Sequence, residues 1–415
     1  MYFYHNIEND FVINVEQIYA RQKIIQHIKK RFGTFGYQEI TTSAFEEYDL
    51  YAKMNGTVNH QEMIKTIDNT GKVLVLRPDI TIPITQQIAL NNGQIQKDLR
   101  YFYVSNVFRQ ASETKEYRES TQAGVEYFGN PSPDADAEII ALAIELLKDF
   151  NAANFKIELG HAGFFKQIVQ EMKLPEEDLA QLKEYIQAKN ITEINQFLNR
   201  LPVQPEVVQI VSSLPFLYGN PLDVIAKAKE LPLNENLKKT LANIEEIYEV
   251  LEAYGVHNHV VIDLSLINHM DYYSDMIFQG FIEKVGKPIL MGGRYDTLAN
   301  QFDANLPAIG FACDVDALIL GIEQSELPQM NPNDAAIFFD KKSEKRGRQL
   351  AAMLRDDGYR VVTYPIETEN SRVPEAQAAI KVEQERNVLS FEGNEHAFYK
   401  NEEVLSMLNE MKERK

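Results

Sequence analysis

Residues Tyr101–Gly129 have the sequence YFYVSNVFRQASETKEYRESTQAGVEYFG, and the fold that we predict is organised around them. Its two ends, Tyr101–Arg109 and Thr121–Gly129, are rich in aromatic and β-branched residues, and the segment between them is polar. Two such runs separated by a polar loop are typical of paired strands. We therefore predict a pair of neighbouring strands as the centre of the fold.

The second predicted strand carries polar residues on one face. Successive side chains of a strand point to opposite faces, so Gln122, Gly124 and Glu126 share a face. An amide and a carboxylate then flank a position without a side chain, which predicts a slot with room for a small ligand. The alternative is a solvent-facing strand with an incidental glycine, and this stretch by itself does not decide between the two.

The composition excludes several classes of protein. The single cysteine, Cys313, rules out a disulfide framework and a multi-cysteine metal site, and it fits a reducing, cytoplasmic compartment. We expect no cofactor and no metal. The N-terminal sequence MYFYHNIENDF lacks the features of a signal peptide, and no apolar run is long enough to predict a membrane span. The net charge of −19 disfavours nucleic acid, because binding it requires lysine and arginine to neutralise phosphates.

The pattern along the chain predicts two domains and a linker. A core domain covers residues 1–325. Within it, residues from about 163 to 253 show helical periods punctuated by prolines, which predicts an all-helical insertion. The prolines of residues 326–334 indicate a linker. Residues 335–415 alternate between strand-like and helix-like segments, which predicts a small α/β module.

Three local predictions concern the core and the module. Thr81 is predicted to cap a helix over Ile82–Leu90, because threonine is a favoured N-cap residue. The segment Gly292–Leu298, GGRYDTL, is predicted to be a glycine turn. In the C-terminal module, a helix is predicted between the strands RVVTYPI and VLSFEG, within residues 367–387.

Five segments carry a resemblance to a known family. LRPDITIP, VFRQ with QAGVEYFG, LINHMDYYSDMIF, GGRYDTL and PAIGFA occur in the order seen in histidyl-tRNA synthetases. The resemblance implies an α+β fold of the class II aminoacyl-tRNA synthetase type, with an antiparallel sheet flanked by helices. It also implies a pocket for free histidine.

The resemblance maps the histidine pocket onto the chain, residue by residue. Its ring end is formed by Glu126, Tyr273 and Tyr295, and a carboxylate or a phenol is a suitable partner for imidazole nitrogens. Tyr272 is interpreted either as a further pocket residue or as a core aromatic beside Tyr273. The complete set implied by the resemblance is Asp79, Thr81, Arg109, Gln122, Glu126, Tyr272, Tyr273 and Tyr295.

The other end of the implied pocket holds the backbone atoms of the amino acid. Asp79 matches an acid that binds the substrate ammonium, Thr81 assists it, and Gln122 lies along the backbone atoms of the ligand. The ATP-binding loop of the family contains the sequence Arg-His-Glu, and Arg109 of this chain matches its arginine. The alternative for Asp79 is an acid at a helix N-terminus, where the helix dipole favours negative charge.

The chain departs from histidyl-tRNA synthetases where those enzymes bind ATP. Glu116, Asn268 and Ala317 occupy positions at which the family has arginine. Arginines stabilise charge on the α-phosphate, and an acid at such a position repels it at a cost on the order of several kcal/mol. The resemblance therefore implies that adenylation is lost and that the chain is not itself an enzyme, while the histidine pocket is kept.

A kept histidine pocket together with a lost ATP site resembles the regulatory subunits of ATP phosphoribosyltransferase, a family related to histidyl-tRNA synthetases. In that family the chain assembles with a short-form catalytic subunit as a hetero-octamer and activates it. It also helps to confer feedback inhibition by free histidine on the first step of histidine biosynthesis. The resemblance implies a self-dimer of the core, with Ser43 as a departure in the first family motif. No tRNA partner is expected, because the charges of the C-terminal module are nearly balanced.

Two other functions stay open from the sequence. The first is a divergent, active histidyl-tRNA synthetase, against which the missing arginines count. The second is a histidine-sensing module for another partner, such as a kinase that regulates translation, although the sequence contains no kinase motif.

Overall fold

The computed structural model describes residues 15–52, 58–91, 98–110, 119–152, 154–267, 272–323, 325–328, 333–367, 375–384 and 386–413. The chain divides into two compact units, Met1–Pro328 and Gln329–Lys415. Among the described residues, no helix combines the length and the apolar character needed to cross a membrane. Residues 329–332 of the predicted linker lie outside the described residues.

Strands and helices alternate through the first unit. Its strands are β1 (Gln38–Glu39), β2 (Phe45–Glu47), β3 (Lys65–Ile67), β4 (Val73–Leu76), β5 (Leu99–Phe108), β6 (Glu119–Phe128), β7 (Phe155–His161), β8 (Tyr218–Gly219), β9 (Val260–Asp263), β10 (Met276–Ile282), β11 (Pro288–Arg294) and β12 (Ala308–Asp314). Its α-helices are α1 (Val15–Thr34), α2 (Tyr48–Ala52), α3 (Thr81–Asn91), α4 (Pro133–Asp149), α5 (Ala162–Met172), α6 (Glu176–Gln187), α7 (Ile191–Leu198), α8 (Pro205–Ser213), α9 (Pro221–Lys229), α10 (Glu235–Ala253) and α11 (Val315–Gly321). Short 3-10 helices are formed by Leu214–Phe216, His257–His259 and Leu298–Phe302.

A nine-stranded sheet organises this unit, in the order β1-β5-β6-β12-β11-β10-β7-β9-β8. Neighbouring strands are antiparallel except in the pairs β1–β5 and β7–β9, which are parallel. β2, β4 and β3 form a separate small antiparallel sheet. The predicted central pair of strands is confirmed as β5 and β6, which pair from Leu99 opposite Phe128 to Phe108 opposite Glu119.

The two faces of β6 belong to different hydrophobic cores. Ala123, Val125 and Tyr127 are buried in the larger core together with residues of α1 and α4. Phe128 belongs to a smaller core on the opposite face, and Glu126, which shares that face, is only 1% exposed. The interpretation of this face as solvent-facing is therefore wrong, because it is covered by the smaller core.

The glycines of GGRYDTL do not form a turn, since the first three residues of this segment complete β11. The two glycines are required by close packing across the sheet. A Cβ atom at Gly292 would lie 2.6 Å from Phe278 Cζ, and one at Gly293 would lie 2.8 Å from Tyr273 Cδ1. The prediction of a glycine turn is wrong because these glycines make room for neighbouring side chains within an extended strand.

The start of α3 also differs from the prediction. Thr81 is the first residue of the helix and not its cap. The backbone N–H of Ile82 donates instead to Asp79 Oδ1 at 2.8 Å. A carboxylate is a stronger acceptor than a hydroxyl for an amide at a helix N-terminus. Asp79 therefore takes this role, and the hydroxyl of Thr81 is left to bond elsewhere.

The elements of the second unit are β13 (Asn333–Phe339), α12 (Glu344–Asp356), β14 (Val361–Pro365), β15 (Ala376–Val382), β16 (Asn387–Phe391), β17 (Asn394–Ala397) and α13 (Asn401–Glu413). The strands form a five-stranded sheet in the order β14-β13-β15-β16-β17. The helix predicted within residues 367–387 is wrong, because β15 lies there between β13 and β16. Ala378, Ile380 and Val382 are buried at every second position, and this period outweighs the helix propensity of the alanines.

Candidate functional site

The buried face of β6 carries a carboxyl group that is held by two hydroxyl groups. The Thr81 hydroxyl donates a hydrogen bond to Glu126 Oε1 at 2.6 Å, and the Tyr295 hydroxyl donates to Glu126 Oε2. Thr81 begins α3 and Tyr295 follows β11, so elements distant in sequence converge on β6. Glu126 and Tyr295 are 1% and 2% exposed. Both oxygens of this carboxyl group are therefore fixed in a buried position.

Burial governs the ionisation of Glu126. It raises the pKa of Glu126 from an ordinary value near 4.5 to about 8. The hydrogen bonds from Thr81 and Tyr295 lower this pKa, and the negative charge of Asp79 raises it. A cationic ligand between two buried carboxyl groups stabilises the ionised form of both. The site is therefore suited to a ligand that carries basic groups.

Asp79 lies at the start of α3, beside an arginine. It is buried, and burial raises the pKa of Asp79, whereas the hydrogen bond from the Ile82 N–H and the charge of Arg109 lower it. Arg109 Nε donates to the carbonyl of Pro78 at 3.0 Å, which holds the guanidinium next to this turn. The helix N-terminal role that was the alternative for Asp79 is present, together with electrostatic coupling to Glu126.

Tyrosine rings form an aromatic wall next to Glu126. The ring centroids of Tyr272 and Tyr273 are 4.6 Å apart, and those of Tyr272 and Tyr295 are 5.9 Å apart with the rings nearly perpendicular. Tyr273 and Tyr295 are buried, whereas Tyr272 is partly exposed. The structure thus places Tyr272 in the same aromatic group as the two tyrosines that were predicted to face the ligand ring.

The slot predicted at Gly124 is filled by the protein itself. Pairing of β5 with β6 places Tyr103 opposite Gly124. A Cβ atom at Gly124 would lie 2.4 Å from the Tyr103 hydroxyl oxygen and 2.7 Å from the Phe311 carbonyl oxygen. The prediction of room for a ligand at this position is wrong, because the missing side chain accommodates the phenol of the neighbouring strand.

Tyr103 is a site residue that the sequence analysis missed. It is 1% exposed, and its side chain hydrogen-bonds with Thr81, which in turn donates to Glu126. A large aromatic residue opposite a glycine would have indicated this role, but the pairing can be inferred only when the register of the two strands is known. Gln122 is half-buried and lies beyond Gly124 on the same face, so the Tyr103 ring separates it from Glu126.

Of the three positions at which the resemblance to histidyl-tRNA synthetases implies an arginine, the structure describes one. Ala317 lies in α11 and is buried in the larger core. Asp314 caps this helix by accepting hydrogen bonds from the backbone N–H groups of Asp316 and Ala317, each at 3.0 Å. The helix N-terminus is thus already paired with a carboxylate, which disfavours a phosphate there. Glu116 and Asn268 lie outside the described residues.

The raised pKa of Glu126 predicts a pH-dependent difference in stability between the chain and its Glu126→Gln variant. Between the ordinary pKa and the raised one, an acid with a higher pKa in the folded state takes up a proton on folding. Its contribution to the free energy of unfolding therefore falls as pH rises from about 4.5 to about 8. The slope is ~1.4 kcal/mol per pH unit for one group. Denaturant unfolding of both proteins at pH 5 and pH 8 measures it. The variant should gain relative stability at pH 8, and an unchanged difference between the two proteins would contradict the raised pKa.

Sequence comparisons identify relatives over most of the chain. The family model for histidyl-tRNA synthetase matches residues 13–318. An ATP phosphoribosyltransferase regulatory subunit from Oceanobacillus iheyensis is 40% identical over 353 residues, which cover 85% of this chain and 86% of that protein. A protein of the same name from Ruminiclostridium cellulolyticum is 34% identical and covers 84% of each chain.

Two solved structures have the same fold. One is a crystal structure of an ATP phosphoribosyltransferase regulatory subunit/histidyl-tRNA synthetase from Bacillus halodurans. It has a TM-score of 0.78 at 27% identity and covers 92% of this chain and 99% of that one. The other is a histidyl-tRNA synthetase from a Nostoc species, with a TM-score of 0.80 at 18% identity over the full length of both chains. The predicted class II synthetase-like fold is therefore confirmed, with a mixed sheet flanked by helices.

These findings agree on one family. The synthetase model covers the larger part of the chain, and the curated relatives above 30% identity carry the name of a regulatory subunit. The chain therefore belongs to the family of ATP phosphoribosyltransferase regulatory subunits, which shares its fold with the histidyl-tRNA synthetases.

Proposed function

We propose that this chain senses free histidine in the pocket around Glu126 and thereby regulates the catalytic subunit of ATP phosphoribosyltransferase. The observation that carries the proposal is the pair of buried carboxyl groups of Glu126 and Asp79, each with a pKa raised by burial. The ionised form of such a pair is unfavourable in the empty protein, because burial leaves neither charge solvated. A ligand with two basic groups offsets this cost.

Histidine has the required groups at the required ends. Its imidazole pairs with Glu126, and the aromatic wall formed by the tyrosines next to Glu126 packs against the imidazole ring. Its ammonium pairs with Asp79, and Arg109, which lies beside Asp79, is the cation available to the ligand carboxylate. Gln122 completes the backbone end in this proposal, beyond the ring of Tyr103.

The proposal includes activation of a short-form catalytic subunit within a hetero-octamer, in which the synthetase-like core forms a self-dimer and tRNA has no part. The names of the relatives from Oceanobacillus iheyensis and Ruminiclostridium cellulolyticum support the partnership. Reconstitution tests it. Adding the purified chain to a short-form catalytic subunit should raise the rate of phosphoribosyl transfer, and histidine should then lower it. A rate that does not change on mixing would contradict the proposed partnership.

The chain alone is expected to show no histidine-dependent ATP–pyrophosphate exchange. The reason is the replacement of phosphate-binding arginines by Glu116, Asn268 and Ala317. Ala317→Arg alone should not restore exchange, because the other two replacements persist and catalytic groups act as a unit. The measurement is incorporation of labelled pyrophosphate into ATP, with an active histidyl-tRNA synthetase as the positive control. Exchange well above a protein-free control would remove the premise of a lost ATP site.

A further inference from the structure

Arg294 directly precedes the pocket residue Tyr295 and is buried. Its guanidinium does not pair with Glu126 or Asp79 but with other acceptors. Arg294 ends β11 and is 3% exposed. Its Nε donates to Asp136 Oδ1 at 2.9 Å, and its Nη2 forms an ion pair with the same oxygen at 2.7 Å. Its Nη1 donates to Asp296 Oδ1 at 3.1 Å. It also donates to the carbonyl groups of Asn130 at 3.1 Å and Ser132 at 3.4 Å. One side chain thus ties the end of β11 to the connection between β6 and α4.

The backbone of Arg294 holds a further segment, the one that follows Tyr273. The Ser274 N–H donates to the Arg294 carbonyl at 2.8 Å, and the Ser274 hydroxyl donates to the same carbonyl at 3.3 Å. The Asp296 N–H then donates to Ser274 Oγ at 3.3 Å. Tyr295 lies between Arg294 and Asp296, so both of its chain neighbours are fixed by this network.

Burial of the ion pair between Arg294 and Asp136 carries a desolvation cost. Burial raises the pKa of Asp136 to about 7 even though Arg294 is adjacent. A buried ion pair of this kind is often replaceable by apolar residues without loss of stability. The guanidinium fixes the orientation of its partners, because its donors lie in a rigid plane and bind several acceptors at once.

We propose that Arg294 is a positioning residue for the ring end of the histidine pocket, acting through Tyr295. The inference rests on the proposed function. Tyr295 donates to Glu126 Oε2, while the Arg294 side chain is directed at α4 and the connection before it. A displacement of the Tyr295 hydroxyl by about 1 Å is enough to break a hydrogen bond of this kind and to misplace the carboxyl group that meets the ligand.

A double-mutant cycle with Tyr295→Phe tests this route. Arg294→Lys keeps the charge and removes the planar fork, and we expect it to weaken histidine binding about tenfold. Tyr295→Phe alone should cost about the same factor, as expected for one lost hydrogen bond to a charged group. The double variant should be no weaker than the weaker single variant, since without the hydroxyl Arg294 has nothing to position. Losses that multiply to about a hundredfold would overturn the proposal.

Arg100→Lys is the matched control, because Arg100 also pairs with an acid on α4, donating to Glu138 Oε1 and Oε2 at 3.0 Å each. It should leave the affinity unchanged. A ligand-free readout is the carbon resonance of the Tyr295 ring, assigned as the signal missing in Tyr295→Phe. Arg294→Lys should shift this signal and Arg100→Lys should not.

The ligand-free readout separates this inference from the proposed function. A Tyr295 signal that stays in place in Arg294→Lys overturns the positioning role, whether or not histidine binds. If Arg294→Lys shifts the Tyr295 signal but the wild-type chain binds no histidine, the proposed function is overturned instead. Asp136→Asn keeps the shape of the acid and serves as the second variant if the lysine substitution fails to fold.

Discussion

Glu126→Gln is expected to weaken histidine binding by roughly 5- to 150-fold, or ~1–3 kcal/mol, the range of a hydrogen bond to a charged group. Glutamine keeps the shape of the side chain and can still pair with the hydroxyl groups of Thr81 and Tyr295. It cannot carry a charge. With a pKa of about 8, Glu126 is protonated near neutral pH in the empty pocket. A neutral imidazole can accept this proton and become the cation that pairs with the carboxylate, whereas the amide of glutamine has no such proton to transfer.

Calorimetric titration of histidine at pH 7.5 measures this effect. Glu119→Gln is the matched control, because Glu119 lies at the exposed start of the same strand and contacts the side chain of Asn106. The control should bind histidine as the wild-type chain does. If Glu126→Gln also binds histidine with unchanged affinity, the ligand ring does not lie at Glu126.

Gly310→Ala is expected to abolish histidine binding and to destabilise the first unit. Gly310 lies in β12 directly opposite Glu126. A Cβ atom there would lie 2.0 Å from Glu126 Oε2 and 2.4 Å from the Val125 carbonyl oxygen, so both the carboxyl group and the strand must move. Overpacking of this kind costs roughly 1–3 kcal/mol of the free energy of unfolding. The displaced carboxyl group also loses its bond to Tyr295, and the ring end of the pocket is lost with it.

Denaturant unfolding and histidine titration of Gly310→Ala check both parts of this prediction. Gly33→Ala is the control, since Gly33 lies in α1 and a Cβ atom there meets nothing within 4 Å. Alanine has the higher helix propensity, so this variant should be as stable as the wild-type chain or up to ~1 kcal/mol more stable. A Gly310→Ala chain with wild-type stability and affinity would show that β12 does not confine Glu126.

The part of the site that depends on local pattern follows from the sequence. The two-residue period of a strand assigns Gly124 and Glu126 to one face of β6, and the structure has them there. The helical period of Val15–Phe32 gives α1, which ends two residues later at Thr34. Such patterns need only neighbouring residues, and they are therefore readable before any strand pairing is known.

The remainder depends on which strands meet and in which register. Whether Gly124 opens a slot or accommodates a phenol is decided by Tyr103 on the neighbouring strand. Gly292 and Gly293 suggest a turn when they are read alone, but β11 runs between β10 and β12, where larger side chains at these positions would clash. The role of Asp79 as an acceptor for the Ile82 N–H likewise depends on the backbone geometry at the start of α3.

In the proposed function, histidine regulates the assembly through the pocket around Glu126. The most direct measurement is the histidine inhibition curve of ATP phosphoribosyltransferase reconstituted from a short-form catalytic subunit and either the wild-type chain or Glu126→Gln. Equal rates are expected without histidine, because the substitution is confined to a buried pocket. Half-inhibition of the Glu126→Gln assembly is expected to need more histidine by the same factor as the loss of affinity, since binding and inhibition are linked. Inhibition curves that superimpose would show that histidine acts elsewhere and would overturn regulation through this pocket.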